Sequence, residues 1–258
     1  MIVVRCDQGS PEWHAARAGV ITASMFCVAR ERVGGIDDRQ LLYVEAIKAG
    51  KTEAEAMLVA GYKTKPRADA IARALAGQKV GSLSSAAKDY AFRLAIERIS
   101  GQPLDEGFQT WAMQRGHELE PAARLAHEIA VGVVVERAGF VLTDDGVFGA
   151  SADGLIGDEE GSEYKCLVDP ARLRAVLIDD NVSEFMDQVQ GCLWITGRRR
   201  WHFGLYCPAL APIGRELWWT VIERDDNYIE AMEQDLMEFR AYVDELEARL
   251  RADQRKAA

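Results

Sequence analysis

The sequence predicts an α/β (α+β) protein that forms one domain over residues 1–258, with a small all-helical insertion at 37–80 and an amphipathic C-terminal helix at 226–250. Three observations favour this fold class. Long segments carry apolar residues at helical spacing, short apolar runs are bounded by turn residues, and glycines divide the insertion into three helical stretches. A chain of 258 residues with 48% apolar and 28% charged residues can bury one substantial core.

The N-terminal region begins with a short apolar stretch and a turn at Gly9-Ser10-Pro11. A helix is predicted from about Glu12 to Arg17. A second helix is predicted from about Ser24, with Thr22 or Ser24 as its N-cap, because a hydroxyl oxygen can accept a free backbone N–H there.

The segment 37–80 has a separate character. Three short helices are predicted there, at 40–49, 52–60 and 67–75. Glu55 stands at capping-box spacing from Thr52, which supports the start of the second helix. Short helices joined by glycine turns are typical of a helix-turn-helix module.

The rest of the chain combines long helices with short strands. Helices are predicted at 84–100, about 106–131 and 183–196. Strands are predicted at 133–142, 148–155, 162–168, 201–206 and 215–223. Pro121 either kinks its helix or begins a new one at the first turn. The apolar stripe of the C-terminal helix is expected to pack on the domain or on a neighbouring subunit, with a coiled coil as the less favoured alternative.

The composition disfavours several classes of protein. No run approaches the roughly 18 apolar residues that a membrane span needs, and the N-terminus lacks a signal-peptide pattern. Five widely spaced cysteines without a C-x-x-C pair indicate reduced thiols in a cytoplasmic protein rather than a zinc or iron–sulfur site. The net charge of −10 normally argues against a nucleic-acid partner, but metal ions can neutralise acidic site residues and the run Arg198-Arg199-Arg200 can face DNA.

The most informative pattern is an isolated carboxylate followed by a carboxylate and a lysine two residues apart: Asp153, then Glu163 and Lys165. Because residues i and i+2 of a strand point to the same face, Glu163 and Lys165 are expected to lie side by side. The polar segment 157–162 is typical of a hairpin connection, which would bring Asp153 to the same point. Two carboxylates supply the hard oxygen ligands that Mg²⁺ or Mn²⁺ prefers. On its own, the pattern also fits a solvated hairpin with a surface ion pair.

Five sequence blocks extend this interpretation. They are WHAARAGVITAS at 13–24, RGHELEPAAR at 115–124, SADGL at 151–155, EYKC at 163–166, and MDQVQ with LWIT at 186–196, which runs into the stretch 201–206. In this order the blocks resemble the lambda exonuclease/YqaJ viral recombinase family, and they cover most of residues 8–225. Any single block is a weak signal, whereas five in register are specific.

The resemblance implies a PD-(D/E)xK restriction-endonuclease-like core, in which a central mixed sheet is flanked by helices and the catalytic residues lie on a central hairpin. It implies an exonuclease that degrades one strand of linear double-stranded DNA processively from its 5′ end and leaves 3′ single strands for phage-type recombination. The family's best-known member is a ring-shaped trimer. A homo-oligomer, by this resemblance a trimer, and a single-strand annealing protein as partner are expected on the same grounds.

Matched positions give the expected catalytic and metal-binding residues. By the resemblance, Asp153 and Glu163 are metal ligands and Glu120 completes the metal site. Phosphodiester cleavage can use a pair of ions, so two Mg²⁺ ions (or Mn²⁺) are expected, with the backbone carbonyl of Tyr164 as a further ligand. Lys165 is the expected catalytic lysine; the sequence leaves open whether it acts as a base or only positions the attacking water.

Further residues are expected to complete the reaction site and to hold the substrate. Gln188 matches the glutamine of the Q-V-Q helix, and Arg17 and Ser24 match the residues that hold the 5′-phosphate of the DNA end. The planar fork of an arginine can pair two phosphate oxygens at once. Trp13 and the run Arg198-Arg199-Arg200 are candidates for contacts with DNA bases or backbone.

Each assignment has a structural alternative. Glu118 stands close to Glu120 in sequence, and a carboxylate on a helix is usually just exposed. Arg17 could be a favourable charge at a helix C-terminus and Ser24 a plain N-cap. Gln188 could serve only to satisfy backbone groups, and the three arginines could form a solvated turn.

Departures from the family pattern are local. Ala152 and Leu167 stand where proline is frequent, which leaves the chemistry unchanged. The segment between Ser24 and Lys88 is much longer than the family norm, so 37–80 is interpreted as an insertion; its sequence resembles the helix-turn-helix of phage terminase small subunits.

The residues and the resemblance together predict a Mg²⁺-dependent exodeoxyribonuclease. The resemblance alone implies that it acts 5′→3′, is encoded by a phage or prophage and works in the host cytoplasm. An endonuclease or structure-specific nuclease of the same fold is the alternative among enzymes. A non-catalytic DNA-binding protein that uses the 37–80 module is the alternative from another class. The role of this module stays open.

Overall fold

A computed structural model describes residues 1–67, 69–78, 80–104 and 111–253 of the chain. The chain divides into two compact units, one formed by residues 1–29 and 90–258 and the other by residues 30–89. No helix in the described ranges combines the length and the apolar character that a bilayer crossing requires.

The described residues contain both helices and strands in mixed order. The helices are α1 Pro11–Arg17, α2 Phe26–Arg30, α3 Asp38–Lys48, α4 Glu53–Val59, α5 Asp69–Leu75, α6 Ser85–Ser100, α7 Trp111–Val131, α8 Pro170–Leu177, α9 Met186–Thr196 and α10 Asp226–Asp253. The strands are β1 Ile2–Val4, β2 Ile21–Thr22, β3 Arg32–Val33, β4 Ser82–Leu83, β5 Phe140–Leu142, β6 Phe148–Ala150, β7 Gly154–Ile156, β8 Glu160–Lys165, β9 Arg200–Tyr206 and β10 Leu217–Glu223.

The strands of the first unit form two four-stranded sheets, with the orders β1-β5-β6-β2 and β10-β9-β8-β7. In the first sheet β2 and β6 are parallel, and in the second β8 and β9 are parallel, whereas the other neighbours are antiparallel. Both sheets are therefore mixed, and helices accompany them, which confirms the predicted α/β class.

The core of this unit is rich in large side chains. The bulkiest fully buried residues are Trp201, Phe26, Phe140, Phe148, Phe203 and Phe239, and full burial of one such side chain contributes roughly 1.5–3 kcal/mol. Helix α9 lies against β6. A Cβ atom at Gly191 would come within 2.7 Å of the Phe26 ring, so only glycine permits this close approach. This packing fixes the helix that carries Gln188.

Helix α10 buries its apolar stripe within the chain. The stripe residues with no exposed surface are Met232, Leu236, Phe239 and Val243. Tyr90 of α6 stacks on Phe239 with ring centroids 5.5 Å apart. The stripe therefore packs on the domain, and the coiled-coil alternative is not needed to account for it.

Two predicted strands differ from the observed ones. The strand predicted at 148–155 is wrong, because the chain leaves the first sheet after Ala150 and enters the second at Gly154. The side chains between them bond to groups outside the ladders, which ends the regular alternation. The strand predicted at 133–142 is also too long, since β5 begins at Phe140 and Glu136 forms only an isolated bridge with Leu155.

The other boundaries shift by a few residues. Strand β8 ends at Lys165, three residues earlier than predicted, because the chain turns towards Asp169, the N-cap of α8. The helix predicted from Ser183 starts with a 3-10 turn before α9. Helix α7 continues through Pro121, and residues 106–110 of its predicted range lie outside the described residues.

Residues 30–89 form a small helical unit. Helices α3 and α4 each begin with a capping box, formed by Asp37 with Gln40 and by Thr52 with Glu55. The helices enclose a core whose buried members are Tyr43, Val44, Ala46, Ala56, Ala60, Ile71 and Ala74. Strands β3 and β4 pair antiparallel and hold the two ends of the unit together.

Candidate active site

A cleft of about 640 Å³ in the first unit collects most of the predicted site residues. Its lining includes the predicted residues Trp13, Arg17, Ser24, Glu120, Asp153, Glu163, Tyr164, Lys165 and Gln188. They come from α1, the turn before α2, α7, the β7–β8 hairpin and α9. Residues that are far apart in sequence therefore meet in one place.

The β7–β8 hairpin places Asp153 beside the middle of the E-Y-K segment. The ladder ends at the pair Gly154–Ser162, and just beyond it Asp153 Oδ2 accepts a hydrogen bond of 2.7 Å from the backbone N–H of Tyr164. In a strand, the N–H and C=O of one residue point to the same edge. The Tyr164 carbonyl therefore points to the edge where the Asp153 carboxylate lies.

Glu163, Lys165 and Gln188 form a closed triangle of hydrogen bonds. Lys165 Nζ lies 2.7 Å from Glu163 Oε1 and 2.8 Å from Gln188 Oε1, and Gln188 Nε2 donates to Glu163 Oε1 at 2.6 Å. The second carboxylate oxygen, Glu163 Oε2, is buried and has no hydrogen-bond partner among the described residues. A buried anionic oxygen without a partner is costly, so the site favours a cation at this position.

Glu120 is held by its own helix. Arg124, one turn later on α7, forms an ion pair with Glu120 Oε1, and its Nη2 also donates to the Asp153 carbonyl at 3.2 Å. The arginine thus links the helix to the residue that begins the hairpin. Glu118 hydrogen-bonds Gln114 instead and is exposed, so Glu120 is the carboxylate that faces the site.

The clustered carboxylates perturb one another. Burial, with the charges of Glu163 and Glu120, raises the pKa of Asp153 well above its usual value. Burial also raises the pKa of Glu120, against the attraction of Arg124. Burial by itself would lower the pKa of Lys165, but Glu163 and Asp153 together outweigh it and raise the pKa, so the ammonium form persists.

The donor set fits a divalent cation in its chemistry. Residues that offer hard carboxylate oxygens and one strand carbonyl line the same cleft. Within the described parts of the chain, no three His, Cys, Asp or Glu side chains are grouped closely enough to hold an ion as they stand. One of the three expected ligands, Glu120, is engaged in an ion pair with Arg124.

Arg17 sits in a small polar cluster in the same cleft. Its Nη1 donates to Ser151 Oγ at 3.2 Å and its Nη2 to Ser24 Oγ at 3.5 Å, while its guanidinium lies 4.1 Å from the centre of the Trp13 ring. Trp13 Nε1 also donates to Ser151 Oγ, at 2.8 Å. Burial lowers the pKa of Arg17 to about 10, so the side chain stays charged at neutral pH.

This cluster leaves a half-buried positive charge with hydroxyl partners. Among the described residues, no carboxylate forms an ion pair with Arg17. Tyr90 Oη accepts the backbone N–H of Thr22 at 3.2 Å and so holds the segment that leads to Ser24. An anion with several oxygens, such as a phosphate, is the ligand that this cluster fits.

The predicted arginine run contacts the turn of the β7–β8 hairpin. Arg198 Nη1 donates to the carbonyls of Gly157 and Glu160 at 2.7 and 2.6 Å, and Arg199 and Arg200 form ion pairs with Glu159 and Glu160. These contacts fasten the turn of the hairpin. Arg198 also lines a second cleft, of about 1100 Å³, which shares Asp153 and Glu120 with the first one.

Sequence reasoning missed two residues of the site. Ser151 lies in the SADGL block but was not predicted as a site residue, and its hydroxyl accepts hydrogen bonds from both Trp13 and Arg17. The contact between Arg124 and Glu120 could have been predicted, because the two residues stand four apart on one face of a helix. The Ser151 contacts join positions far apart in sequence and had no such signal.

Comparison with known proteins gives a consistent group of relatives. The model of the YqaJ-like viral recombinase domain matches residues 64–199. An uncharacterized Escherichia coli K12 protein, ExoD, is 35% identical over 63 residues, which are 24% of this chain and 70% of that protein.

Solved structures extend the likeness to nearly the whole chain. The crystal structure of an alkaline exonuclease from Laribacter hongkongensis is 26% identical, with a TM-score of 0.68 over 96% of this chain and 100% of that one. Its complex with dAMP matches equally. A phage-related exonuclease from Haemophilus somnus, 17% identical with a TM-score of 0.53 over 72% and 90% of the two chains, shares the fold.

Proposed function

Because the chain belongs to the YqaJ-like viral recombinase domain family, whose predicted PD-(D/E)xK fold is consistent with the structure, we propose that it is a metal-dependent exonuclease that degrades linear double-stranded DNA from the 5′ end. The observation that carries this proposal is the meeting of two groups in one cleft. Arg17 and Ser24 offer a site for a terminal phosphate, and Asp153, Glu163 and Lys165 offer a site for hydrolysis.

The proposed metal ligands are the carboxylates of Asp153, Glu163 and Glu120 and the carbonyl of Tyr164. Two Mg²⁺ ions, or Mn²⁺ in their place, would stabilise the charge on the phosphoryl oxygens and assist both the attacking water and the leaving 3′-oxygen. Two observations support this assignment: the pKa of Asp153 is raised, and Glu163 Oε2 has no hydrogen-bond partner among the residues with described structure. To bind the cation, Glu120 would have to release its ion pair with Arg124.

The protein's own side chains position the reacting groups. Lys165 Nζ, fixed by Glu163 and Gln188, holds the attacking water in line with the phosphorus. Gln188 keeps the lysine from turning away from the cleft. Whether Nζ also takes the proton of this water depends on how far the pKa of Lys165 falls once the neighbouring carboxylates are neutralised.

The proposed polarity follows from the phosphate site. A 5′-phosphate bound at Arg17 and Ser24 would leave the first phosphodiester bond towards Asp153, so a mononucleotide would be released at each step. The complex of the Laribacter enzyme with dAMP, a nucleoside monophosphate, agrees with this product class. Trp13 is already covered by Arg17, and so we assign it to positioning that arginine rather than to base stacking.

The biological setting is proposed from the family. The resulting 3′ single strands suit phage-type recombination, with a single-strand annealing protein as partner and a homo-oligomer, by analogy a trimer, as the working form. The proposed location is the cytoplasm of a bacterial host.

A second candidate function is DNA binding by residues 30–89. This unit carries eleven lysine and arginine residues against eight aspartate and glutamate residues, although the whole chain has 31 against 41. A basic unit in an acidic chain favours a nucleic-acid partner. The wild-type protein would then shift DNA in a gel even where it does not cut it.

Digestion of defined DNA ends tests the proposal. In Mg²⁺ the wild-type protein should degrade linear duplexes and leave covalently closed circles intact, and in EDTA it should cleave neither. A 3′ label should remain on long products while a 5′ label appears in mononucleotides. Nicking of circles would favour an endonuclease, release of the 3′ label would reverse the polarity, and a gel shift without cleavage would favour the binding module.

A further inference from the structure

A chain of buried hydrogen bonds links β8 to α7 and β9. Tyr164 Oη lies 2.9 Å from His127 Nδ1, and His127 Nε2 lies 3.0 Å from His202 Nδ1. His202 Nε2 lies 2.9 Å from Glu160 Oε2, and Arg200 forms an ion pair with the same carboxylate. Both imidazoles and the phenol are buried, and none of these side chains takes part in the hydrolysis proposed above.

The carboxylate at the end of the chain sets the direction of every bond. An ionised Glu160 can only accept, so His202 Nε2–H is the donor. If the His202 ring is neutral, its Nδ1 is then an acceptor, and it accepts a hydrogen bond from His127 Nε2–H. By the same rule His127 Nδ1 accepts, and the Tyr164 hydroxyl donates to it. With both rings in this form, each of the four ring nitrogens takes part in one hydrogen bond of the chain.

The surroundings keep this arrangement rigid. The Trp219 ring stacks on His202 at 5.9 Å between centroids and meets the His127 ring edge-on at 5.8 Å. Burial lowers the pKa of His127 to about 4, in keeping with a neutral ring. Beside Tyr164, a Cβ atom on Gly204 would come within 2.9 Å of the phenol ring. The phenol therefore has little room to take another orientation.

The bond between Tyr164 and His127 joins two elements that carry proposed metal ligands, β8 and α7. His127 follows Glu120 by seven residues and Arg124 by three on α7, so the three side chains share one face of the helix. Tyr164 stands between Glu163 and Lys165 on β8. The hydrogen bond between Tyr164 and His127 therefore joins the helix that carries one carboxylate to the strand that carries another.

We propose that His127 is a positioning residue, which fixes α7 and the Glu120 carboxylate relative to β8 through its bond to Tyr164. His202 and Glu160 hold His127 in the tautomer that this bond needs. The inference rests on the proposed function, because it assumes that Glu120 is a metal ligand. Loss of the bond then weakens the binding of metal, and leaves the binding of DNA ends at Arg17 unchanged.

The substitution Tyr164→Phe is the sharpest test, because it removes one oxygen and leaves the backbone carbonyl in place. The Mg²⁺ concentration for half-maximal cleavage should rise roughly tenfold, as for other partners that orient a metal ligand. The KM for a 5′-phosphorylated duplex should stay within about twofold. Mn²⁺ binding to the variant without DNA, followed by electron paramagnetic resonance, should weaken by the same factor. Tyr43→Phe, a change at a buried tyrosine in residues 30–89, is the matched control and should alter neither value.

Variants at the other end of the chain separate positioning from general loss of packing. In Glu160→Gln the amide oxygen can still accept from His202 Nε2–H, so Mn²⁺ affinity should stay within about threefold of the wild type. In Glu160→Leu the acceptor is gone and the affinity should fall as in Tyr164→Phe. Nitrogen-15 spectra of labelled histidine should show His127 and His202 as neutral Nε2–H tautomers in the wild type.

The outcomes separate this inference from the proposed function. If the wild type binds Mn²⁺ and cleaves DNA while Tyr164→Phe and Glu160→Leu behave like it, the positioning role is overturned. A different tautomer of His127 overturns it as well. A wild-type protein that neither binds Mn²⁺ nor cleaves DNA would instead overturn the proposed function, and the positioning role with it.

Discussion

Lys165 Nζ lies 2.7 Å from Glu163 Oε1, in a pair of which the carboxylate side chain is only 5% exposed. The same ammonium group also contacts Gln188, whereas the other oxygen of Glu163 is buried and has no hydrogen-bond partner in the part of the chain that the structure describes. The lysine therefore compensates most of the charge of a buried carboxylate as long as no cation is bound. Its role in the fold and its proposed role in catalysis are linked.

Substitution of Lys165 by methionine should affect activity and stability together. Cleavage should be abolished, and the metal-free protein should lose about 1–3 kcal/mol of unfolding free energy, because the buried carboxyl group of Glu163 loses its Lys165 partner. Thermal unfolding in EDTA measures the second effect. The double variant Lys165→Met/Glu163→Gln should recover most of the stability without recovering cleavage. A single variant as stable as the wild type would contradict the proposed compensation.

Substitution of Asp153 should stabilise the metal-free protein, whereas substitution of Lys165 should destabilise it. Since its pKa in the folded protein is raised, folding takes up a proton, and stability falls as pH rises from the ordinary aspartate pKa of 3.8 through the raised value. Above the raised pKa, the full free-energy cost of burying the ionised Asp153 carboxylate reduces the stability of the folded protein. In EDTA at neutral pH or above, Asp153→Asn should therefore raise the melting temperature by about 2–4 °C while abolishing cleavage.

The pH dependence provides the control for this prediction. The difference in melting temperature between Asp153→Asn and the wild type should shrink as pH falls towards 3.8, where both side chains are neutral. Excess Mg²⁺ should reverse the order, because the wild type alone would gain the bound ion. A variant that melts below the wild type in EDTA at neutral pH would show that the carboxylate is not under the proposed repulsion.

Glu163, Lys165 and Asp153 show which features of the site could be predicted from the sequence. The spacing of Glu163 and Lys165 was enough to place them side by side, because the period of a strand is fixed. The strand predicted across 148–155 was wrong, since its apolar residues satisfy two different sheets and the break depends on Ser151 and Asp153 bonding to distant groups. Local periodicity does not contain such long-range hydrogen bonds.

The buried histidines show the same limit. His127 and His202 have no metal-ligand spacing in the sequence, which offers no signal that the two side chains are connected. Their connection depends on β8 lying parallel to β9, with Ser162 opposite His202, and on α7 crossing both strands. Pairing between strands 35 or more residues apart cannot be inferred from one sequence without homologues, whereas a helix cap such as Thr52 with Glu55 can.

Removal of the inserted unit tests which part of the chain binds DNA. Strands β3 and β4 bring the two ends together, with Val33 opposite Ser82. Residues 34–81 can therefore be replaced by an Asn-Gly turn, which suits a two-residue hairpin. We expect kcat/KM on a linear duplex to stay within about threefold of the wild type, because every proposed catalytic residue lies outside the deletion. Loss of duplex binding in a folded deletion variant would favour the DNA-binding module instead.

Arg17 should set the preference for phosphorylated ends. Arg17→Met removes the proposed charge-assisted pair with the phosphate, and such a pair contributes about 1.5–3 kcal/mol. The ratio of initial rates on 5′-phosphorylated and 5′-hydroxyl duplexes should therefore fall roughly 10- to 100-fold. Arg17→Lys keeps the charge but loses the planar fork, so its ratio of rates should lie between those of Arg17→Met and the wild type. Arg249→Met, at an exposed ion pair on α10, is the control and should leave the ratio unchanged. Equal rates of the wild type on both ends would remove the phosphate-binding role from Arg17.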